Sequence, residues 1–577
     1  MSADLVHALR RQGVTDVDDS TLARSLYASD ASIYRIAPQV VVRPRDTDEL
    51  AATLSVMRET GVPLTMRGAG TSIAGNAIGA GIVVDTSKHL NRVLVIDPEA
   101  RTALVQPGVV HASLQRQAMS LGLRFGPDPS THTRCTIGGM IGNNACGSRA
   151  LGYGRTVDNV EALTVLLADG TVVSTGAGVD PTGAEAELAA LVETHLDVVR
   201  TEFGRFGRQV SGYSFEHLLP EKGRRLERFL AGTEGTLAVV LDARVRLVQD
   251  APARALAVLG YPTMADAADA VPALLQHPVV ALEGLDQRIA ALVTTRPDLP
   301  AGAGWLFAEV TGTTSQEAAS LAAAVARDAE VPHRIVTDPL EQLALWKIRE
   351  EGAGLAARSL TRPAQSGWED AAVPPAKLGS YLRDFDALLK QHALDGVPYG
   401  HFGDGCVHVR IDFELESGPG RSTYRKFVEE AADLVAVYGG SMSGEHGDGR
   451  ARSELLGRMY SPRAIAMMEQ AKRILDPGNL LNPGVLVDPA PFDSDLRLAA
   501  APAPLRTTLR LTHDGGSFSG AVHRCTGVGK CIADNTGAAG VMCPSYLATR
   551  DEKDSTRGRA RVLQDVAMGI IGFDDPA

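Results

Sequence analysis

Four residues late in the chain could together do chemistry. His401 and His408 stand seven apart in YGHFGDGCVHVRIDF, and Glu445 is followed at once by His446 in GGSMSGEHGDG. Two imidazoles plus one carboxylate are a common donor set for a divalent cation, and a set of three leaves a coordination position for substrate. Zinc, manganese and iron all suit such donors. A metal that stabilises an alkoxide, beside a histidine poised to take the proton, would activate an alcohol. A lone histidine is more often a hydrogen-bonded structural residue; a pair followed by Glu-His, all within glycine-rich turns, is not that case.

The elements around these residues must bring them together. Gly403-Asp404-Gly405 is turn chemistry, so His401 and His408 are expected on paired strands. Glu445 and His446 are adjacent and would point oppositely in a regular strand, unless Gly444 and Gly447 bend the chain. A second motif, RGAGTSIAGNAIG from Arg67 to Gly79, follows a predicted strand, Val62 to Met66. Glycines there allow the close backbone approach and the nest of N–H groups that a phosphate needs. Alone it reads equally as a glycine-rich turn. A strand, Gly81 to Thr86, follows it rather than a long helix, so it is not the usual dinucleotide fingerprint. Upstream, Val40 to Val42 reads as a strand. Asp46 and Glu49 form a capping box for a helix with Leu50, Leu54 and Met57 on one face, ended by Gly61. Val93 to Ile96 and Thr102 to Gln106 read as a hairpin.

Four further segments share the glycine-and-hydroxyl character: VQPGV from Val105, GPDPSTHTRCTIGGMIGNNACGS from Gly126, YGRTVDN from Tyr153 and GTEGTLAVV from Gly232. In this ordered series the chain resembles the FAD-binding domain of the vanillyl-alcohol oxidase / p-cresol methylhydroxylase superfamily. The resemblance implies an α+β fold: a two-part FAD-binding domain, an α+β substrate (cap) domain and a partial ferredoxin-like tail. It implies that Arg67, Gly68, Ala69, Gly70, Thr71, Ser72 and Gly75 embrace the pyrophosphate. Pro127, Thr131, Thr136, Gly138, Gly139 and Asn143 would line the flavin and ribityl, and Gly235 with Val240 the adenosine side. Some relatives link FAD through a histidine soon after the RGxG motif; Thr71 stands there, so FAD is expected to be non-covalent.

The His, His, Glu-His set is similar to that of FAD-dependent D-2-hydroxy-acid dehydrogenases acting on D-lactate, D-2-hydroxyglutarate or glycolate. That resemblance implies His401, His408 and Glu445 as metal ligands and His446 as general base. It implies Arg349, in LWKIREE, as the holder of the substrate carboxylate, where the residues alone suggest a surface charge on a helix from Leu343 to Glu351. Two positions depart from the family pattern. Cys406 follows GDG where many relatives have asparagine, and SGWEDAAVP, with Trp368, Glu369 and Asp370, lacks a lysine that some carry. D-lactate is the expected substrate, with D-2-hydroxyglutarate or glycolate as alternatives. A quinone, cytochrome or flavoprotein is the expected acceptor. A redox electron-transfer subunit without substrate chemistry of its own is the alternative of another class.

The tail carries Cys525, Cys531 and Cys543, the last followed by Pro544, and a basic STRGRAR stretch. It resembles the start of a 4Fe-4S ferredoxin-like domain, with Val528 where a middle cysteine belongs. Three thiolates cannot complete a cubane, so a cluster is expected only with ligands from a missing segment or partner subunit. The expected division is a leader helix over 1–35, the FAD-binding domain over 36–250, the cap with the metal site over 251–487, a linker over 488–510 and the incomplete ferredoxin-like segment over 511–577. The chain has 577 residues, 44% hydrophobic and 22% charged, with a net charge of −12. That is a folded composition, and its acidity argues against nucleic-acid partners. No apolar run approaches a membrane span, and six cysteines suit a reducing, cytoplasmic setting, peripheral to a membrane at most through the acceptor.

Overall fold

The computed structural model describes residues 2–176, 183–293, 298–357, 359–360, 362–502, 505, 507–533 and 542–572. Of the expected ferredoxin-like segment, 534–541 and 573–577 lie outside these. Among the described residues three sheets carry the fold. In the first, Val40–Val42, Ile82–Asp85 and Leu64–Arg67 run parallel in that order. Val40–Val42 and Ile82–Asp85 are buried throughout, as parallel strands covered on both faces must be. One face, Val40, Val42, Ile82 and Val84, packs on Leu50, Leu54 and Met57 of the helix Thr47–Thr60. The other, Val41 and Val83, packs on Ala23, Leu26 and Tyr27. The Asp46 side chain accepts the Glu49 N–H at 2.9 Å, and Gly61 closes the helix at φ 67°.

The expected leader is not separate. Helix Ser2–Arg11 ends earlier than read, puts Leu5 and Leu9 into the same core, and leads into Val17–Asp18, an antiparallel edge of the sheet. The second sheet is antiparallel. Val239–Gln249 sits at its centre between Thr102–Val105 and Val160–Leu166, and the Val93–Asp97 hairpin forms one edge.

The third sheet has seven strands, ordered His333–Val336, Ala253–Tyr261, Gly304–Gly312, Val279–Asp286, Gly396–Gly400, Cys406–Ile411, Ala371–Ala372. Alternate residues face opposite ways. Ala255, Ala257 and Leu259 belong to the main core with the helices Met264–Leu274, Ser315–Ala329 and Leu378–Gln391. Leu256, Val258, Ala281, Leu285, Val397 and Tyr399 face Leu345 and Trp346 of the helix Pro339–Glu350.

Residues on both sides of the expected cap boundary at 487 pack back on the first domain, so the stretch read as a linker is docked rather than loose. Asn482 returns to the first domain, donating to the carbonyls of Asn76 and Glu234 at 3.0 and 2.9 Å. Phe492 and Leu496 are buried, and Tyr34 Oη donates to the Phe492 carbonyl at 2.6 Å. Large apolar side chains dock residues that proline and alanine content had suggested were loose. The tail docks too: Asp565 takes a bidentate pair from Arg35, each contact 2.7 Å. Among the described residues no helix is long and apolar enough to cross a membrane.

Candidate functional site

The third sheet positions the histidines. Tyr399 pairs with His408 across the strands Gly396–Gly400 and Cys406–Ile411, and the turn between them closes at Gly405, φ 74°. His401 and His408 meet with ring centroids 5.1 Å apart. Val407, Val409 and Ile411 enter the main core, which leaves His408 and Arg410 on the other face. Glu283, on the same face as Ala281 and Leu285, reaches His401 Nδ1 at 2.8 Å.

Glu445 Oε1 lies 2.9 Å from His401 Nε2, 3.2 Å from His408 Nε2 and 3.4 Å from His446 Nε2. One ligand atom each from His401, His408 and Glu445 fall within 4.8 Å of one another, a donor set a divalent cation fits. Glu445 and His446 are not in a strand. Asp370 Oδ2 accepts the Ser443 hydroxyl at 2.7 Å and the N–H groups of Gly444, Glu445 and His446 at 3.0, 3.1 and 2.7 Å. That one oxygen, with Gly447 at φ 79°, wraps the chain so that both side chains reach one place. His446 stacks on His408 at 4.6 Å, and its Nδ1 lies 3.6 Å from Asp370 Oδ1.

Charge divides within this cluster. Burial opposes a proton on His401, but Glu283 and Glu445 outweigh it and raise the imidazole to about 9. Burial pushes His408 down to about 4. Burial alone would raise Glu445, yet the histidines hold it well below the carboxylate range. Burial likewise opposes charge on His446, and Asp370 and Glu445 raise it. A cation on the imidazoles would displace the His401 proton.

Arg349 is buried rather than a surface charge. It pairs with Glu283 at 2.7 Å, and its guanidinium lies 5.3 Å from the Tyr399 ring centre. The helix Pro339–Glu350 buries Gln342, Leu345, Trp346 and Arg349, a stripe at helical spacing that delivers Arg349 to the site.

These residues form one end of a cavity of about 950 Å³ that runs into the glycine-rich loops. Arg67 through Ser72 line it, as do Thr131, Thr136, Gly138, Gly139, Asn143, Gly235 and Val240. Gly75 and Pro127 stand behind the wall. A Cβ on Gly75 would meet Tyr34 at 2.8 Å, and the Pro127 carbonyl faces His111 Nε2 at 2.8 Å. Arg67 is structural as well as lining, donating to the carbonyls of Ser29 and Ala77 at 3.0 and 3.2 Å. A Cβ on Gly68 would collide with the Thr136 hydroxyl, so glycine there lets the two walls close up. Among the described residues the N–H groups of Gly70 and Thr71 meet no acceptor in the chain. Unpaired N–H groups in a glycine loop, on a cavity of this volume, fit the diphosphate and flat ring system of FAD.

Sequence reasoning passed over four residues of the site, and two of them, Glu234 and Arg208, bind the halves together. Glu234 accepts the N–H groups of Asp448 and Gly449 and the Asn76 amide at 2.6, 2.8 and 3.0 Å. Arg208, fully buried, pairs with Glu445 at 3.2 Å and Asp404 at 2.7 Å. Glu283 had a readable signal: a single acid in the apolar run VVALEGL. Arg410, paired with Glu369 at 2.9 Å, could be found as the i+2 neighbour of His408 on a strand. Asn143 also holds the His446 carbonyl, at 3.1 Å. Cys525, Cys531 and Cys543 are free thiols. Cys531 and Cys543 are buried beside Ala69 and Ile532, and the Cys531 sulfur accepts the Arg557 N–H at 3.2 Å.

A glycine-lined cradle and an apolar-backed histidine cluster share one cavity, the frame of a flavoprotein. Residues 38–176 match the FAD binding domain family and 251–486 the C-terminal domain of FAD linked oxidases. The p-cresol methylhydroxylase crystal structure with substrate bound superposes with a TM-score of 0.62 at 17% identity, over 84% of this chain and 96% of that one. D-Lactate dehydrogenase of Archaeoglobus fulgidus is 30% identical over 478 residues, 80% of this chain and 95% of that protein. D-2-Hydroxyglutarate dehydrogenase of Pseudomonas putida is 30% identical over 605 residues, 97% of this chain and 59% of that protein. The chain belongs to the family of FAD-linked D-2-hydroxy-acid dehydrogenases, and the likeness to p-cresol methylhydroxylase shows its fold. It spans 57–59% of the length of the bacterial D-2-hydroxyglutarate dehydrogenases it matches.

Proposed function

We propose that the protein oxidises a D-2-hydroxy acid to the 2-oxo acid and passes the electrons to an external acceptor. One observation supports this most: His401, His408, Glu445, His446 and Arg349 converge at the end of the cavity that the glycine loops line. Bound non-covalently, FAD supplies the hydride acceptor, and a divalent metal on His401, His408 and Glu445 supplies the charge that makes the hydroxyl acidic. Arg349 takes the substrate carboxylate in a charge-assisted, two-pronged contact, drawing on a guanidinium that Glu283 and Tyr399 already hold in place. Asp370, beside His446 Nδ1, favours the tautomer that leaves Nε2 free, and Nε2 takes the hydroxyl proton. Burial of the cluster keeps water from competing for that proton.

D-Lactate needs nothing beyond these groups. D-2-Hydroxyglutarate is a second reading, favoured by Lys347, a cavity-lining cation with no ion-pair partner among the described residues, and by the likeness to enzymes of that name. Anaerobic mixing with D-lactate, D-2-hydroxyglutarate, glycolate and the L-isomers tests both. Bleaching of the flavin by a D-isomer is expected, and none by any hydroxy acid would leave the electron-transfer subunit as the better reading. Lys347→Ala should raise KM for hydroxyglutarate and leave lactate unchanged if the second carboxylate binds there. Chelation should stop bleaching with FAD retained, and zinc, manganese or ferrous iron should restore it.

A further inference from the structure

We infer that the C-terminal helix is part of the cofactor site: Arg557 clasps the phosphate cradle from behind and aims its N–H groups into the cavity. The inference rests on the flavin reading and is independent of the substrate. Arg557 stands on the helix Thr556–Ala567, outside the residues that match either family domain. Its Nη1 donates to the carbonyls of Ala69 at 2.8 Å and Gly70 at 3.4 Å. In a trans peptide the C=O and the following N–H point opposite ways. Two consecutive carbonyls held on the outer side therefore turn the N–H groups of Gly70 and Thr71 toward the cavity, where those residues line the wall. Among the described residues both N–H groups lack acceptors, as donors reserved for a ligand would.

Arg557 is itself fixed and nearly buried, at 5% exposure. Glu552 holds Nε and Nη2 at 2.7 and 2.8 Å, and the Cys531 sulfur accepts its N–H. Gly70 sits at φ 61°, a conformation costly for other residues and maintained here by the grip on its carbonyl. The same segment adds Val528 and Lys530 to the cavity wall, with the Val528 carbonyl accepting from Arg134 Nε at 2.6 Å. A diphosphate-bearing cofactor thus meets donors whose direction is set 488 residues further along the chain.

The test is FAD release from the full-length holoenzyme, followed as rising flavin fluorescence after dilution. Arg557→Ala should speed release at least tenfold. Arg35→Ala, which breaks another of the tail's anchors without touching the cradle, should change it less than threefold. Release from Arg557→Ala at the wild-type rate overturns the inference, as does equal acceleration by Arg35→Ala. Should Arg557→Ala not fold, Arg557→Lys decides, with threefold or faster release expected and the wild-type rate overturning it. A protein that takes up no FAD at all overturns the flavin reading itself.

Discussion

Asp370 shows how much a single atom can organise. Its Oδ2 accepts one hydroxyl and three N–H groups, and Oδ1 faces His446. Asp370→Ala leaves those donors buried and unpaired. It is expected to destabilise by about 3–5 kcal/mol, measurable by urea unfolding. His446→Ala should slow flavin bleaching by a D-2-hydroxy acid by about 10²–10⁴-fold, with FAD content unchanged on the same preparation. His111 makes a pH prediction. Burial lowers it from 6.5 to about 4, so the folded state disfavours its proton. Its contribution is complete above pH 6.5 and is lost as pH falls toward 4, up to about 3 kcal/mol. The stability gap between wild type and His111→Gln should therefore shrink from pH 7 to pH 4. The metal-type donors and the glycine cradle were legible in the sequence because their residue types are uncommon together. Asp370 was visible only as a family departure, since its partners lie more than 70 residues away and leave no local mark.

Among elements, those governed by neighbours in sequence were readable. The helix Thr47–Thr60 carries its own cap and stripe, and Asp46→Ala should cost about 1 kcal/mol in thermal or urea melts. The strand pair around Gly405 follows from its turn, and that pairing brings both histidines to one side of the sheet. Elements set by distant partners were not readable. Residues 488–502 look like a linker by composition, yet Phe492 is fully buried against Tyr424 and Arg425. Phe492→Ala should cost about 3–5 kcal/mol, read from the denaturation midpoint. A true linker would show no loss.

At the scale of the molecule, the cavity joins three stretches of chain: the glycine loops, the cap sheet with its helix Pro339–Glu350, and the tail. A ligand that binds only this assembled state stabilises all of it, by about 2.7 kcal/mol at a hundredfold excess over Kd. Added FAD should therefore raise the melting temperature of the flavin-depleted protein with concentration, and slow amide exchange in 67–72 and 556–567 together. Exchange slowed in the loop alone would separate the tail from the site. The return of Asn482 to Asn76, 406 residues away, also has a meaning in time. At 5–20 residues per second a ribosome needs roughly 20–80 s to make that stretch. Throughout it, the first sheet waits for the segment that finishes it, and a later stretch still brings the arginine behind its phosphate loop. The glycine loop is made early, and the arginine that holds its carbonyls arrives 488 residues later.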